Sequence, residues 1–90
     1  MQPNFIRTGL NIDWEEYSLT EPMTVPLSSS AIRFASYNPL TFTLTIDFTD
    51  GSVYEYSGVE PSTFIGLIQS SSVGRYFNYH IRDNYAYTEV

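Results

Sequence analysis

The side chains best suited to chemistry are concentrated near the end of the chain, in the stretch Gly74–Tyr85. It contains the single histidine, His80, and two of the four arginines, Arg75 and Arg82. At helical spacing Arg75, Tyr79 and Arg82 share one face, with His80 beside it, and two guanidinium groups there can bind a phosphate or a carboxylate. The stretch therefore predicts a contact site for one or two anionic groups, with the protein's own carboxylates as competing partners.

Tyr54 and Tyr56 form a second candidate contact pair. They are two residues apart in a predicted strand, so both rings point to the same face of the sheet. Exposed rings would stack on the bases of a single-stranded nucleic acid. Packed rings would instead form the inner side of the strand, with hydroxyls at its edge. Packing is the interpretation we favour.

Catalysis is not predicted. His80 is the obvious general base, but the chain has no second histidine, no lysine and no serine nucleophile turn. The carboxylates lack the spacing of a metal site, and no glycine-rich phosphate loop is present. We therefore expect no enzyme, no metal and no cofactor, with His80 as a structural or surface residue.

Composition restricts the partner class. The net charge is −6, from four arginines, no lysine and ten acidic residues. A broad phosphate-binding surface needs many basic side chains, so a long nucleic-acid track is excluded. No apolar run is long enough for a membrane span, and no signal peptide is recognisable, so a cytoplasmic protein without a membrane partner is expected. Without cysteine, the small core must be built from the aromatic side chains, which make up 17% of the chain.

The elements that position these residues begin with a β-meander. Residues 31–37 and 41–48 read as strands, the second with Phe42, Leu44, Ile46 and Phe48 inward. Asp50-Gly51 supplies hairpin chemistry before a strand over residues 52–57. Two short helices then cover the sheet. Pro61 begins the first, the serines at 70–72 separate and cap the two, and the second spans residues 73–82 with Val73, Phe77 and Ile81 as its core stripe.

The predicted fold class is accordingly α+β, a three- to four-stranded antiparallel β-meander covered on one face by two short C-terminal helices. Tyr85 to Val90 are expected to be a closing strand or an ordered tail. Residues 1–24 are expected to form an N-terminal extension, either an added strand over residues 7–14 or an arm, and residues 25–90 the main domain. Trp14 either caps the core or, with Tyr17, forms an exposed interaction segment.

A family resemblance is carried by several short motifs in order along the chain: Ser29-Ser30-Ala31-Ile32, Asp47-Phe48, Gly51, Tyr54-Glu55-Tyr56, Val59, Pro61, Ser71 to Asn78, Ile81 and Tyr85. Together they resemble the KTSC domain, a small module named for the C-terminus of some lysyl-tRNA synthetases and also found alone in bacterial and phage proteins. The run Gly74-Arg75-Tyr76-Phe77-Asn78 is the most specific part. The resemblance covers residues 25–90 and implies RNA binding, a role suggested by the synthetase context.

These sequence features indicate three alternative kinds of partner. The acidic charge favours a non-catalytic protein-interaction or inhibitor module, of phage or mobile-element origin, whose negative surface meets a basic protein. The alternative is an RNA- or nucleotide-binding module that uses a small Arg and Tyr patch. A homodimer paired through an exposed strand edge is the third.

Overall fold

The computed structural model describes residues 20–90, which form a five-stranded antiparallel sheet and two helices. The strands are β1 (Met23–Pro26), β2 (Ile32–Asn38), β3 (Thr43–Phe48), β4 (Val53–Tyr56) and β5 (Tyr87–Glu89). The helices α1 (Pro61–Gln69) and α2 (Val73–His80) come between β4 and β5 in the chain. The strands lie in the sheet in the order of the chain. The predicted α+β class is confirmed, with one strand more than expected.

Alternating side chains give the sheet one apolar and one polar face. On the apolar face Tyr37 and Tyr56 both pair with Leu44, and Ala35 pairs with Ile46; all five side chains are buried. A row across the other face carries only hydroxyl and carboxylate side chains: Thr24, Ser36, Thr45, Glu55 and Thr88. The helices therefore pack on the apolar face, where burial is favourable.

Helix α1 is anchored to the sheet by Phe64, which is fully buried. Its ring stacks on that of Tyr37, with centroids 4.9 Å apart and 11° between the planes. The Tyr37 hydroxyl donates to the carbonyl oxygen of Val59, 2.5 Å away, just before the helix. Burial, with a smaller contribution from Glu60, raises the pKa of Tyr37 to about 12. This hydroxyl therefore stays a hydrogen-bond donor throughout the neutral range.

Helix α2 confirms the predicted core stripe. Phe77 and Ile81 are buried, and Val73 packs against the same cluster. The helix ends at His80 and not at Arg82 as predicted. At this end the side-chain amide of Asn84 donates to the carbonyl of Tyr79 over 3.2 Å. That side chain satisfies an acceptor that would otherwise lack a partner at the helix terminus.

The predicted serine cap of α2 was wrong in its detail. Ser72 occupies the N-cap position, but its side chain makes no capping hydrogen bond. The Ser70 hydroxyl instead bonds the backbone of Ser72 twice, donating to its carbonyl at 3.0 Å and accepting from its N–H at 3.1 Å. The serines therefore stabilise the turn between the helices, because the Ser70 hydroxyl reaches a backbone only two residues away.

Phe42 was predicted to point inward and does not. Its backbone has a φ of 59°, in the left-handed region, so β3 begins one residue later at Thr43. The side chain is 48% exposed, while the carbonyl accepts a hydrogen bond from the Val59 N–H at 2.8 Å. The left-handed turn interrupts the alternation, which therefore applies only from Thr43 onward.

The edge strand β1 was not predicted. It pairs Met23 with Tyr37 and Pro26 with Phe34, and it runs across the expected domain boundary between residues 24 and 25. The strand predicted over residues 7–14 and the roles considered for Trp14 and Tyr17 lie outside the described residues. Within residues 20–90, neither helix has the length and apolar character needed to cross a membrane.

Tyr85 ties the segment after α2 to the start of α1. Its hydroxyl donates to the Glu60 carboxylate at 2.6 Å, and the Thr63 hydroxyl donates to the same carboxylate oxygen at 3.2 Å. The hydrogen bond from Tyr85 is the largest cause of a lowered Glu60 pKa, below the ordinary value of 4.5. The bond therefore stabilises the folded chain more strongly while Glu60 is ionised than when it is protonated.

We expect the variant Tyr85→Phe to lose less stability on acidification than the wild-type protein. A carboxyl pKa lowered by folding adds stability above its unfolded value, and this is lost as the pH falls through the folded value. Urea unfolding midpoints at neutral pH and at about pH 3 measure the loss. Tyr79→Phe is the matched control, since Tyr79 is 74% exposed. Equal losses in Tyr85→Phe and wild type would contradict the assignment.

Candidate functional site

A cleft of about 470 Å³ lies between α2 and the apolar face of the sheet. We call it the aromatic cleft. It is bounded by β2 to β5 and the turn between β3 and β4 on the sheet side, and by α2 and the turn after it on the other. Five rings line it: Phe48, Tyr54, Tyr56, Phe77 and Tyr87.

The rings hold one another in place. Tyr56 meets Phe77 edge to face, with centroids 5.6 Å apart, and Phe48 meets Tyr54 in the same way at 5.8 Å. Tyr87 contacts both Tyr54 and Tyr56 at 5.6 Å. Edge-to-face aromatic pairs are favourable beyond the area they bury. The cleft is thus a preformed wall of rings, with Tyr56 only 4% exposed at its base and Tyr87 58% exposed at its margin.

The Tyr56 hydroxyl differs from those of the other well-packed tyrosines. Tyr37, Tyr76 and Tyr85 each donate a hydrogen bond to another residue. Tyr56 makes no such bond to another residue among 20–90, although it is buried and lines the cleft. Burial, followed by the neighbouring Tyr54 and Tyr87, raises the pKa of Tyr56. Its hydroxyl is therefore a neutral polar group that a ligand in the cleft can use.

Charged groups line the cleft in unequal numbers. Asp50 and Asp83 contribute two carboxylates, and Arg82 one guanidinium. Asp50 accepts hydrogen bonds from the hydroxyl and the backbone N–H of Ser52, at 2.7 and 2.9 Å, and these lower its pKa. Between residues 20 and 90, the ion pair is formed elsewhere, by Arg33 and Asp47 at 3.5 Å. The charged groups of the cleft therefore have no ion-pair partner within residues 20–90, and carboxylates outnumber guanidinium groups among them.

The structure brings together three of the six residues predicted to contact a ligand. Tyr54, Tyr56 and Arg82 all line the aromatic cleft. For the two tyrosines, the predicted packing on the inner face is what the structure shows. Their rings also form part of the wall of a cleft. The two alternatives considered for them, packed or exposed, did not include this arrangement.

The other three residues lie outside the cleft lining. Arg75 and Tyr79 are exposed on α2, and His80 is exposed with its ring 4.3 Å from that of Tyr76. Since α2 ends at His80, helical spacing no longer groups Arg82 with Arg75 and Tyr79. A ligand contact by any of the six residues stays a prediction.

The other rings and charged side chains of the cleft were not predicted as site residues: Phe48, Phe77, Tyr87, Asp50 and Asp83. Asp50 was assigned to a hairpin turn, and that turn is confirmed, with Gly51 at a φ of 95°. Tyr87 was left between a strand and a tail. Its position follows from the pairing of Tyr56 with Tyr87, a contact between residues far apart in the chain. The period-two spacing of Tyr85 and Tyr87 was the signal for it.

A second, shallower depression of about 330 Å³ lies on the polar face of the sheet. Its lining includes Thr24, Ser36, Thr43, Thr45 and Glu55, and the Thr24 and Ser36 hydroxyls share a hydrogen bond of 2.9 Å. Several of its hydroxyls bond one another, and Glu55 is its one charged side chain. The aromatic cleft, with its rings and unpaired charges, is the better candidate site. No group of three metal-ligating side chains occurs within residues 20–90.

Comparison with known protein families shows what the chain is similar to. The family model described as the KTSC domain matches residues 28–85, a region that contains strands β2 to β4 and both helices. A crystal structure of a KTSC domain protein from Yersinia pestis superposes with a TM-score of 0.74 at 28% identity, covering 77% of this chain and 97% of that one.

Two relatives differ in length. An uncharacterised protein from Stutzerimonas stutzeri is 37% identical over 54 residues, which cover 60% of this chain and 76% of the relative. A lysine–tRNA ligase from Nostoc punctiforme is 37% identical over 76 residues, covering 81% of this chain but only 14% of the ligase. The same small unit therefore occurs in short proteins and as a minor part of a long one.

Proposed function

The chain belongs to the KTSC domain family, and from that premise we propose that it is a non-catalytic protein-interaction module whose aromatic cleft binds a basic segment of another protein. The observation that supports this proposal is the lining of the cleft, which combines five aromatic rings with two carboxylates and one guanidinium. Such a lining suits a ligand that carries positive charge.

Aromatic faces attract cations. A lysine or arginine head group over a tyrosine ring gains about 0.5–2 kcal/mol, depending on how far it is desolvated. Tyr87 and Tyr54 are the cleft tyrosines nearest to solvent, and they lie in ring contact. Asp50 and Asp83 add carboxylate partners at the same site. A guanidinium group in the cleft would thus meet a flat ring and a carboxylate together, the two groups that arginine binds best.

The charge of the whole chain supports the same partner class. The net charge is −6. Residues 20–90 carry three arginines against seven carboxylates, and one of those arginines is paired with Asp47. A field of this sign raises the encounter rate with basic partners and disfavours acidic ones. By binding a basic segment of its partner, a small acidic module would also block that segment and so act as an inhibitor.

The non-catalytic part of the proposal is supported by the surroundings of the possible nucleophile and base. His80 lies outside the cleft, with its ring against Tyr76. The Ser52 hydroxyl in the cleft bonds Asp50 as part of the hairpin turn. A serine nucleophile needs an adjacent base that is itself oriented by a third group, and the described residues of the cleft do not provide this arrangement.

A second candidate function is the binding of RNA or a nucleotide. It is favoured by one observation, the presence of Tyr54, Tyr56 and Arg82 in the same cleft. A base stacked on a tyrosine and a phosphate on Arg82 would fit these groups. The similar region in a lysine–tRNA ligase agrees with this candidate. A single arginine beside two carboxylates suits one nucleotide better than a polymer.

Charge-neutralising variants distinguish the two candidates because they act in opposite directions. For a short arginine-containing peptide, we expect Asp83→Asn to weaken binding about fivefold, a loss of about 1 kcal/mol, and Arg82→Ala not to weaken it. For a short single-stranded RNA, Arg82→Ala should weaken binding and Asp83→Asn should not. Fluorescence anisotropy of the labelled peptide and the labelled RNA measures both series.

Two variants outside the cleft serve as matched controls. Glu55→Gln removes a carboxylate from the polar face of the sheet, and Arg75→Ala removes an exposed guanidinium from α2. Both should leave peptide binding at the wild-type level. Peptide binding that Asp83→Asn and Glu55→Gln reduce equally would reflect net charge alone and would contradict the cleft as the site. Binding of RNA but not of peptide would select the second candidate.

A further inference from the structure

Strand β5 is an edge of the sheet in the described part of the chain, and the hydrogen bonds at its two ends determine the direction of its backbone groups. Its neighbours on one side are residues of β4: Val90 donates its N–H to Val53, and Ser57 donates to Ala86, both at 2.9 Å. Hydrogen-bonded pairs recur at every second residue of an antiparallel pair. Thr88 therefore bonds Glu55, with which it is in register. It follows that Tyr87 and Glu89 direct their N–H and C=O groups away from β4.

The same two residues place their side chains on the apolar face. Tyr87 is in register with Tyr56, and Glu89 with Tyr54, the two β4 tyrosines that line the aromatic cleft. The free backbone edge and the margin of the cleft are thus formed by the same strand. A strand added to β5 would lie about 4.8 Å away and would direct every second side chain to the cleft side.

We propose that a partner protein binds by adding an extended segment to the outer edge of β5, with a lysine or arginine side chain of that segment in the aromatic cleft. This inference rests on the proposed function and specifies its mode of binding. Backbone hydrogen bonds to Tyr87 and Glu89 supply affinity without regard to sequence, and the cleft supplies specificity for the cationic side chain.

Charge complementarity selects this occupant over a second copy of the chain. Asp50 and Asp83 line the cleft, and Glu89 lies on the edge strand itself. Arg82 is the one basic side chain in the cleft lining. Two copies paired through β5 would bring these carboxylates together, whereas a segment with basic residues at alternate positions would neutralise them. The carboxylate on the edge strand is also a device by which proteins avoid self-pairing.

The test uses the full chain labelled with nitrogen-15 and a synthetic peptide in which arginine and threonine alternate. We expect the peptide to shift the resonances of the aromatic cleft and to slow hydrogen exchange at the amides of Tyr87 and Glu89. The amide of Thr88, which already bonds β4, is the internal control. The same peptide with an N-methyl group on every residue keeps its charge but has no backbone N–H to donate to β5. It should bind about tenfold more weakly, the effect of losing one or two backbone hydrogen bonds.

A pair of variants at one position tests the same contact from the side of the protein. Glu89→Pro removes an N–H that faces away from β4, a site where an edge strand tolerates proline. Glu89→Gln removes only the charge. Weaker peptide binding in Glu89→Pro than in Glu89→Gln supports strand addition.

The outcomes separate the two proposals. Cleft binding that N-methylation leaves unchanged would overturn strand addition and leave the proposed function standing. Absence of peptide binding at the cleft would overturn both. Slow exchange of the Tyr87 and Glu89 amides before peptide is added would show that the edge is already paired, which also overturns the inference. A solution mass of twice the monomer would then identify a second copy, and a monomer mass would identify another part of the same chain.

Discussion

Phe64→Ala should lower the free energy of unfolding by about 3–5 kcal/mol, the usual cost of removing a fully buried phenylalanine. Phe64 has no exposed surface, and its ring joins α1 to the sheet through the stack on Tyr37. Domains of this size are stable by about 5–15 kcal/mol in total. We therefore expect a large part of the stability to be lost. Urea unfolding followed by tyrosine and tryptophan fluorescence measures it.

Phe42→Ala is the matched control for this prediction. It makes the same change at a side chain that is 48% exposed and outside the core cluster. We expect it to alter the free energy of unfolding by less than about 1 kcal/mol, as is usual for surface substitutions. Similar losses in the two variants would show that Phe64 does not connect the helix layer to the sheet as described.

Gly66→Ala should also destabilise the protein, although alanine is the better helix former. A methyl group at Gly66 would lie 2.7 Å from Cζ and 3.0 Å from Cε2 of Tyr76. The Tyr76 ring would have to move, and its hydroxyl would lose the hydrogen bond of 3.1 Å to the carbonyl of Thr63. Overpacking of this kind costs about 1–3 kcal/mol, against a gain of about 1 kcal/mol in helix propensity. Thermal and urea unfolding both measure the balance.

Gly74→Ala is the comparison variant, and we expect it to change the free energy of unfolding in the opposite direction. Gly74 lies in α2, and apart from its chain neighbours and the backbone of its own helix a methyl group there would meet no atom within 4 Å. This substitution should raise the free energy of unfolding by up to about 1 kcal/mol, because alanine restricts the unfolded chain. In the Tyr76→Ala background, Gly66→Ala should cease to destabilise. If it destabilises there by the same amount, the contact with Tyr76 is not the cause.

Local patterns in the sequence predicted most of the fold. The alternation of Leu44 and Ile46, the hairpin residues Asp50-Gly51 and the proline at position 61 each act within a few residues, and each predicted its element. The stripe that includes Phe77 and Ile81 likewise follows from helical spacing. These features depend on the backbone immediately around them, so a single sequence is sufficient to recognise them.

The parts that were not predicted depend on contacts across the fold. Strand β1 contains only four residues and ends in a proline, so its pattern is too short to recognise without its partner strand. The left-handed backbone of Phe42 is unusual for a bulky residue, and its carbonyl bonds Val59, seventeen positions away in the chain, at 2.8 Å. The preference of the residue itself gives no sign of either feature.

The candidate site was predicted only in part for the same reason. Tyr54, Tyr56 and Arg82 were recognised by residue type, and all three line the aromatic cleft. Tyr87 joins them only because β5 pairs with β4 after two intervening helices, and Asp83 joins them because the turn after α2 borders the same cleft. The cleft is therefore a product of tertiary structure. The proposed partner class depends on the excess of carboxylates in the cleft. That excess arises because the fold brings Asp50 and Asp83 to the same cleft.

The order of the strands has a consequence for the path of folding. Each of β1 to β4 pairs with a strand next to it in the chain, so these four can form through short loops. The pairing of β4 with β5 instead encloses both helices, and closure of a longer loop costs more chain entropy. We expect β5 to dock last and to open first in local unfolding. Each such opening would remove Tyr87 from Tyr54 and Tyr56, so the cleft wall would exist only while the final strand is docked.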